Sequence, residues 1–188
     1  MYARRFGDRT LTFDFAAGLI RDNLLLVDRE TGSVWSQLAG KAISGPMQDT
    51  PLVVVPSIQA SWGYWRRTHP DTAVMVVEGQ EGQPYFYQVF EPGKPREATS
   101  HDVSTVGLGI VVGGQALFVP FRELDRAEPI VTALVGTERV AVHHDADGLT
   151  AWAENSEGEL LPGVLAYESG WLAFYPNSAI YKHSNAGP

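Results

Sequence analysis

The densest run of side chains able to do chemistry is His143-His144-Asp145-Ala146-Asp147-Gly148. Imidazoles and carboxylates ligate divalent metals, and Asp145 and Asp147 ahead of Gly148 resemble the opening of a calcium loop. The spacing argues against both uses. Neighbouring residues of a strand face opposite sides, so His143 and His144 do not converge easily on one ion. With Asp145 as the first position of a calcium loop, the twelfth falls on Ser156, where a bidentate Glu is needed. A β-turn with Asp147-Gly148 at its tip accounts for the same residues.

Two further clusters carry titratable groups beside aromatic ones. His69 precedes Pro70 and lies near Asp71, at the end of a segment holding Trp62 and Trp65. A His–Asp pair could do general acid–base work, and a His at a helix terminus also satisfies carbonyls. Asp28-Arg29-Glu30-Thr31-Gly32, followed by Trp35, resembles one blade motif of quinoprotein propellers and loosely the Asp-box of sialidases. Both architectures repeat the motif many times, whereas here it occurs once. A hairpin whose Asp bonds turn amides while Trp35 packs inward explains it without a propeller.

Together Asp28, Trp35, Trp62, His69 and Asp71 form the candidate ligand site, since small-molecule pockets combine aromatic faces with a few polar groups. The alternative assignment puts the Trp residues in the core and the polar residues at turns. No Ser-His-Asp constellation, nucleophile elbow or zinc-type His spacing is present. Gly107, Gly109, Gly113 and Gly114 make no phosphate loop, because no Lys-Ser/Thr follows them. No catalytic residue, cofactor or metal is assigned.

The elements that must position these residues are short. Thr10 to Phe15 and Ser33 to Leu38 alternate polar and apolar residues, and Asn23 to Val27 lies between them, which predicts strands joined at the turn Asp28 to Gly32. Leu52 to Val55 is a further expected strand. Ser57 to Thr68 has helical spacing, with Ser57 or Ser61 as cap and Pro70 as stop. Ala73 to Val77 and Pro84 to Phe90 read as strands, and Glu91 to Ser100 as a loop. Val106 to Val112 and Gln115 to Val119 flank Gly113-Gly114, a two-residue hairpin signal. Phe121 to Asp125 suggests one helical turn. Ile130 to Val135, Glu138 to His143 and Leu149 to Ala153 are expected strands. Tyr167 to Phe174 reads as a short helix and Ala179 to Tyr181 as a last strand.

The segment around Pro56 has an echo around Pro162, at a constant shift of 106 residues (171 against 65, 176 against 70). Trp65 matches Trp171, Pro70 matches Pro176, His69 faces Tyr175, and Asp71-Thr72 faces Asn177-Ser178. Trp65 and Trp171 are therefore expected to be buried at equivalent places. The second helix, carrying Leu172, Ala173 and Phe174 against Arg66, Arg67 and Thr68, is expected to be the more buried of the two.

The chain of 188 residues is 44% hydrophobic and 19% charged, an ordinary globular composition. Its formal net charge of −8 disfavours nucleic acid and anionic membranes as partners. With no cysteine, disulfides, thiolate metal sites and a Cys nucleophile are excluded. No apolar run reaches the length of a membrane span, and Met1-Tyr2-Ala3-Arg4-Arg5 is followed by no apolar signal core. The remaining partner class is a small molecule. Nothing in the sequence sets the oligomeric state.

Several segments also form one pattern: Asp8-Arg9-Thr10-Leu11-Thr12-Phe13, Asp28 to Leu38, Gly40-Lys41-Ala42-Ile43-Ser44-Gly45-Pro46, Trp62-Gly63-Tyr64-Trp65 and His69-Pro70-Asp71-Thr72. It resembles the prokaryotic domain-of-unknown-function family 3179. The pattern is close over residues 4–77, and residues 106–183 resemble a shortened, divergent second copy. The resemblance implies a duplicated β-rich domain with no assigned activity. It also implies a Cys-Pro-x-x-Cys segment upstream of the point matching Tyr2, which this chain starts too late to contain; a native start further upstream would open the way to export.

These readings combine into a mainly β, β-dominated α+β fold of about ten short strands and two or three short helices in two related halves. Residues 1–90 form the first half, 91–105 a linker and 106–188 the second half. The expected function is a non-enzymatic binding or structural module of unknown ligand. The alternative is a hydrolase-like enzyme with acid–base residues in a cleft between the halves. Elemental analysis of the purified protein is expected to find no stoichiometric metal; about one ion per chain would overturn this and point first to His144, Asp145 and Asp147.

Overall fold

Turn chemistry and strand alternation build most of this chain, and the computed structural model describes residues 1–21, 23–74, 106–124 and 127–183 of it. Among the described residues there are thirteen strands and two α-helices. The N-terminal strands are β1 (Arg5–Phe6), β2 (Arg9–Thr10), β3 (Phe13–Ile20), β4 (Asn23–Asp28), β5 (Val34–Ser36) and β6 (Lys41–Ser44), followed by helix α1 (Trp62–Thr68). After them come β7 (Val106–Val112), β8 (Gln115–Pro120), β9 (Ile130–Val135), β10 (Glu138–Asp145), β11 (Thr150–Glu154), β12 (Gly163–Tyr167), α2 (Glu168–Phe174) and β13 (Ala179–Ile180). The fold is mainly β.

Four sheets result. β1 pairs with β2; β3-β4-β5-β6 form a meander; β11-β10-β9 form a second meander; β12-β7-β8-β13 form the fourth sheet. The Gly113-Gly114 signal makes the β7–β8 hairpin, with φ of +56° and +78° at the two glycines. β7 then sorts its side chains by period two. Leu108 and Ile110 point into a core shared with Val131, Val140 and Val142 of the β9–β11 sheet. Gly107 and Gly109 point the other way, against Phe118 and Trp171. The β12-β7-β8-β13 sheet is thus covered on one face by β9–β11 and on the other by α2. A smaller core, Leu11, Trp35, Ala42 and Leu52, lies in the N-terminal segment.

The shift of 106 residues seen in the sequence reappears in the pairing. Arg5 faces Thr10 in β1–β2, and Val111 faces Ala116 in β7–β8. Leu26 faces Trp35 in β4–β5, and Thr132 faces Ala141 in β9–β10. The two helices correspond residue for residue in extent. In each, the Trp indole donates to a hydroxyl seven residues on: Trp65 to Thr72 at 2.9 Å, Trp171 to Ser178 at 2.8 Å.

Burial differs between these matched positions. Trp171 is 2% exposed, whereas Trp65 is half-buried and α1 contributes no buried residue, so the expected burial of both indoles holds for Trp171 alone. The physical reason is what lies beneath each helix. α2 rests on the glycine face of β7. α1 is carried on the tip of the second meander, where Ser61 donates its backbone N–H to the Gly148 carbonyl and the Tyr64 ring packs on Gly148.

Other expectations shift. Residues 52–55 form no strand and make one isolated bridge, Tyr2 to Val54, since the flanking Pro51 and Pro56 have no N–H to extend a ladder. α1 starts at Trp62 rather than at Ser57, capped by Ser61 Oγ accepting from the Tyr64 amide at 3.2 Å. Residues 163–166, assigned to no element in the sequence, form β12 together with Tyr167, the expected helix start, and α2 begins at Glu168. β10 runs on to Asp145, two residues beyond the expected end. Ala73 and Val74 belong to no strand; the rest of that expected strand, the strand Pro84 to Phe90 and the linker 91–105 lie outside the described residues.

Because only one of the matched indoles is enclosed, truncating them should have unequal effects. Trp171→Ala is expected to lower unfolding free energy by about 3–5 kcal/mol, as for a fully buried Trp, and Trp65→Ala by roughly half as much. Urea melts of the two variants check this; equal losses would contradict the difference in burial.

Candidate functional site

Asp28 closes the turn between β4 and β5. Its carboxylate accepts from the Trp35 indole N–H at 2.8 Å, from the Thr31 hydroxyl at 2.8 Å and from the Thr31 amide at 2.5 Å. Asp28 and Trp35 are 1% and 0% exposed. Burial pushes the Asp28 carboxyl up, but the hydrogen bonds from Trp35, Thr31 and the Ser33 backbone outweigh it and hold the group below the usual carboxylate range. Trp35 packs against Phe6 and Phe13, with ring centroids 5.2 and 5.6 Å away. Every polar atom of this pair is engaged inside the hairpin. At the positions shifted by 106, Leu134 and Ala141 stand in their place.

Trp62, His69 and Asp71 belong to α1 and the turn after it. Trp62 is 51% exposed, and His69 and Asp71 are exposed. The His69 ring stacks on Trp65 with centroids 3.9 Å apart, and its Nδ1 lies 2.9 Å from the Thr68 hydroxyl. His69 also caps α1, its backbone N–H donating to the Trp65 carbonyl. The five candidate residues therefore fall into two groups. Asp28 and Trp35 meet inside the first meander, while the other three ride on a helix seated on the second.

The His143 to Gly148 run also divides. His144 points inward, 8% exposed, and its Nε2 lies 2.8 Å from the Glu128 carbonyl, which fixes the proton on that nitrogen. His143 points outward and stacks on Trp152 of β11 with centroids 5.1 Å apart; its Nε2 is 3.2 Å from a Glu154 carboxylate oxygen. Asp145 accepts from the Gly148 amide, closing the turn. Among the described residues no three His, Asp or Glu side chains converge as metal ligands would.

The concave surface lies elsewhere. Two chambers of about 390 and 340 Å³ share Tyr2, Gln37, Leu38 and Val164 as walls. One wall is the N-terminal segment; the other is β12 and α2, with Ala166, Gly170 and Ala173 facing the larger chamber. Two tyrosines brace the rims, Tyr2 within the N-terminal wall and Tyr175 from the end of α2 across to that wall. The Tyr2 hydroxyl donates to the Gln37 carbonyl at 2.6 Å, and the Tyr175 hydroxyl donates to the Leu38 carbonyl at 2.9 Å. Burial raises the pKa of both phenols, and at Tyr2 the nearby Tyr175 adds to it, so both stay neutral. Arg21 is the charged side chain of the larger chamber; it donates to the Ala173 carbonyl and lies over the Phe174 ring at 5.7 Å. Neither chamber is lined by an Asp, Glu or His among the described residues.

Sequence reasoning passed over this cleft because its described lining holds no Asp, Glu or His and comes from segments far apart in the chain. The signal that was present is the alternation Gly107-Leu108-Gly109 inside a strand, which marks a close approach of a large side chain. Here that side chain is Trp171, and it sets α2 beside the cleft.

Known proteins speak to this architecture in one respect. The model of DUF3179, described as a protein of unknown function, matches residues 1–169. The chain belongs to that family. The match spans both the β1–β6 segment and the β7–β12 segment, so the family's pattern extends well beyond the first of them. No curated protein matches, and neither does any solved structure. The family brings no activity with it.

Asp28 generates a pH prediction. Its folded pKa is depressed, so its contribution is present above the unfolded value of about 3.9 and is lost as pH falls through the folded value. Asp28→Asn is expected to cost about 3 kcal/mol at neutral pH, the scale of breaking buried charge-assisted hydrogen bonds. The gap between wild type and variant should narrow as pH falls below about 4. Denaturation at a series of pH values tests this, and a gap independent of pH would refute the assigned role.

Proposed function

We propose that this protein is a non-enzymatic binding module and that its ligand site is the cleft between the N-terminal segment and the β12–α2 unit. The observation that carries the reading is the chemistry of the lining. The larger chamber has the volume of a small-molecule site and, among its described lining residues, mostly apolar walls and one cation. It has no Asp, Glu or His among its described lining residues, and the tyrosine hydroxyls at its rim already donate to backbone carbonyls. A hydrolase needs a positioned acid or base, and the described lining of this cleft offers no carboxylate or imidazole for it. Among the described residues a His–carboxylate pair, His143 with Glu154, is found on the face of β10–β11 opposite the core. The preserved register at a shift of 106 supports descent of the two segments from one duplicated unit, with the cleft formed where they meet.

Gly170 supplies the test. It lies within α2 and lines the cleft, and a Cβ added there meets nothing within 4 Å. Gly170→Leu should therefore fill the larger chamber while leaving the melting temperature unchanged or slightly raised, since Gly is the poorer helix former. Fragments that bind wild type in ligand-observed NMR are expected to be lost on this variant. Fragment binding indifferent to Gly170→Leu would overturn the site. Turnover of ester or phosphoester substrates that disappears in His143→Ala would overturn the non-enzymatic reading.

A further inference from the structure

The two chambers adjoin across Tyr2, Gln37, Leu38 and Val164, yet they differ in chemistry. Among the described residues, those lining only the larger chamber include Arg21, Asn23 and Ser169. Those lining only the smaller one carry no charged side chain, and Val54, Val111, Pro162, Trp171 and Tyr175 are among them. The polar atoms of its two aromatic residues are engaged: the Trp171 indole donates to Ser178 and the Tyr175 hydroxyl to the Leu38 carbonyl. The larger chamber is therefore cationic and hydrogen-bonding, and the smaller one offers ring faces and aliphatic groups.

The β3–β4 hairpin places the cation. Ile20 faces Asn23 at the end of the ladder, and Arg21 takes a φ of +50°, as the first residue of a two-residue hairpin loop does. That backbone angle is uncommon for an Arg. It carries the guanidinium over the end of α2, where it donates to the Ala173 carbonyl and lies on the Phe174 ring. Among the described residues this is its one hydrogen bond. A guanidinium has five N–H donors, and those left over form a fork suited to a carboxylate. No carboxylate lines either chamber among the described residues. Glu168, the acid of α2, is paired with Arg122 at 2.7 Å, and burial keeps the Tyr2 and Tyr175 phenols neutral.

We infer that the cleft takes a small amphipathic monocarboxylate, its carboxylate held by Arg21 in the larger chamber and its apolar tail directed into the smaller one. The inference rests on the cleft being the ligand site. One negative charge complements the cation. A tail without polar atoms fits walls whose own polar atoms are already bonded. A second charge at the far end of the tail would be buried among apolar groups without a partner, so dicarboxylates are discriminated against.

The experiment uses the full chain and the straight-chain acids from butanoate to decanoate, with phenylbutanoate and octanedioate beside them. Each monoacid is paired with its primary amide, and Kd is read by ligand-observed NMR. Acids are expected to bind more tightly than their amides by about fivefold, the scale of an exposed ion pair. Each added methylene should strengthen binding by up to about fourfold until the tail fills the smaller chamber. Octanedioate should bind about tenfold more weakly than octanoate. Tight binding of either octanoate or phenylbutanoate supports the inference, and the better of the two identifies the tail as alkyl or aromatic. Arg21→Gln should weaken the acids by the same factor as amidation and leave the amides unaffected, a difference that mere loss of stability would not produce. Val111 is 37% exposed and so tolerates a larger ring; Val111→Phe should weaken decanoate and spare butanoate. Amides as tight as acids, or acids and amides weakened alike by Arg21→Gln, would overturn the carboxylate contact. Octanedioate as tight as octanoate, affinity independent of tail length, or an equal effect of Val111→Phe on short and long acids would overturn the path of the tail. If the acids fail while neutral fragments still occupy the cleft in a Gly170-dependent way, the inference fails and the binding reading stands. If neither binds, both fail.

Discussion

The Trp171 indole lies so close to the β7 backbone that a Cβ at position 109 would stand 2.4 Å from the ring. Only glycine leaves that space, and much of the C-terminal architecture follows from it. The indole seats α2 on β7, where it also meets Phe118 and stacks on Tyr175. With α2 fixed, Tyr175 reaches the Leu38 carbonyl and Arg21 reaches the end of the helix. Those contacts set the second wall of the cleft against the first. Gly107 works in the same way, since a Cβ there would stand 2.4 Å from the Val119 carbonyl oxygen.

The matched helices show what happens when the seat differs and the helix does not. Both end with an aromatic ring stacked on the Trp four residues before, His69 on Trp65 and Tyr175 on Trp171. Both place a hydroxyl residue where the indole N–H can reach it. Their internal geometry is thus local and portable. What they do is decided by the surface below: α2 is enclosed against a sheet, whereas α1 lies outside the second meander and keeps Trp62 in solvent. In the same way the Asp28–Trp35 pair serves only its own hairpin, because Leu134 and Ala141 fill the matched positions without any polar bond. Charge and aromaticity close together in sequence marked these places as sites; in space Asp28 bonds Trp35 and the His69 ring stacks on Trp65.

What was legible in the sequence was what short-range chemistry determines. Gly113-Gly114 fixed a hairpin because two successive residues at positive φ match the strand twist. The alternation of Ile130 to Val135 survived as a half-buried strand with Val131, Ala133 and Val135 inward. The opposite directions of His143 and His144 followed from strand geometry alone. The register match between the two segments was visible as the constant spacing of Trp and Pro residues. What escaped was set at long range. β12 has no alternation to reveal it, since all but its last residue are half-buried on either face. The half-burial of Trp65 could not be read from its match to Trp171, because sequence similarity between helices says nothing of what each rests on. The cleft has no motif, being a space between residues far apart in the chain.

That last property carries a kinetic consequence. The contacts across the cleft join residues 137 positions apart at Tyr175 and Leu38 and 152 apart at Arg21 and Ala173, and the seat of α1 joins Thr150 to Gln59 across 91. Each must close a long loop before it contributes anything, and loop closure of this kind slows folding. The meanders, whose partners are adjacent in sequence, form without that delay. The cleft is accordingly the last feature to assemble during folding and the first to open under denaturing stress, so amide hydrogens along β12 should exchange ahead of those in β7 and β10.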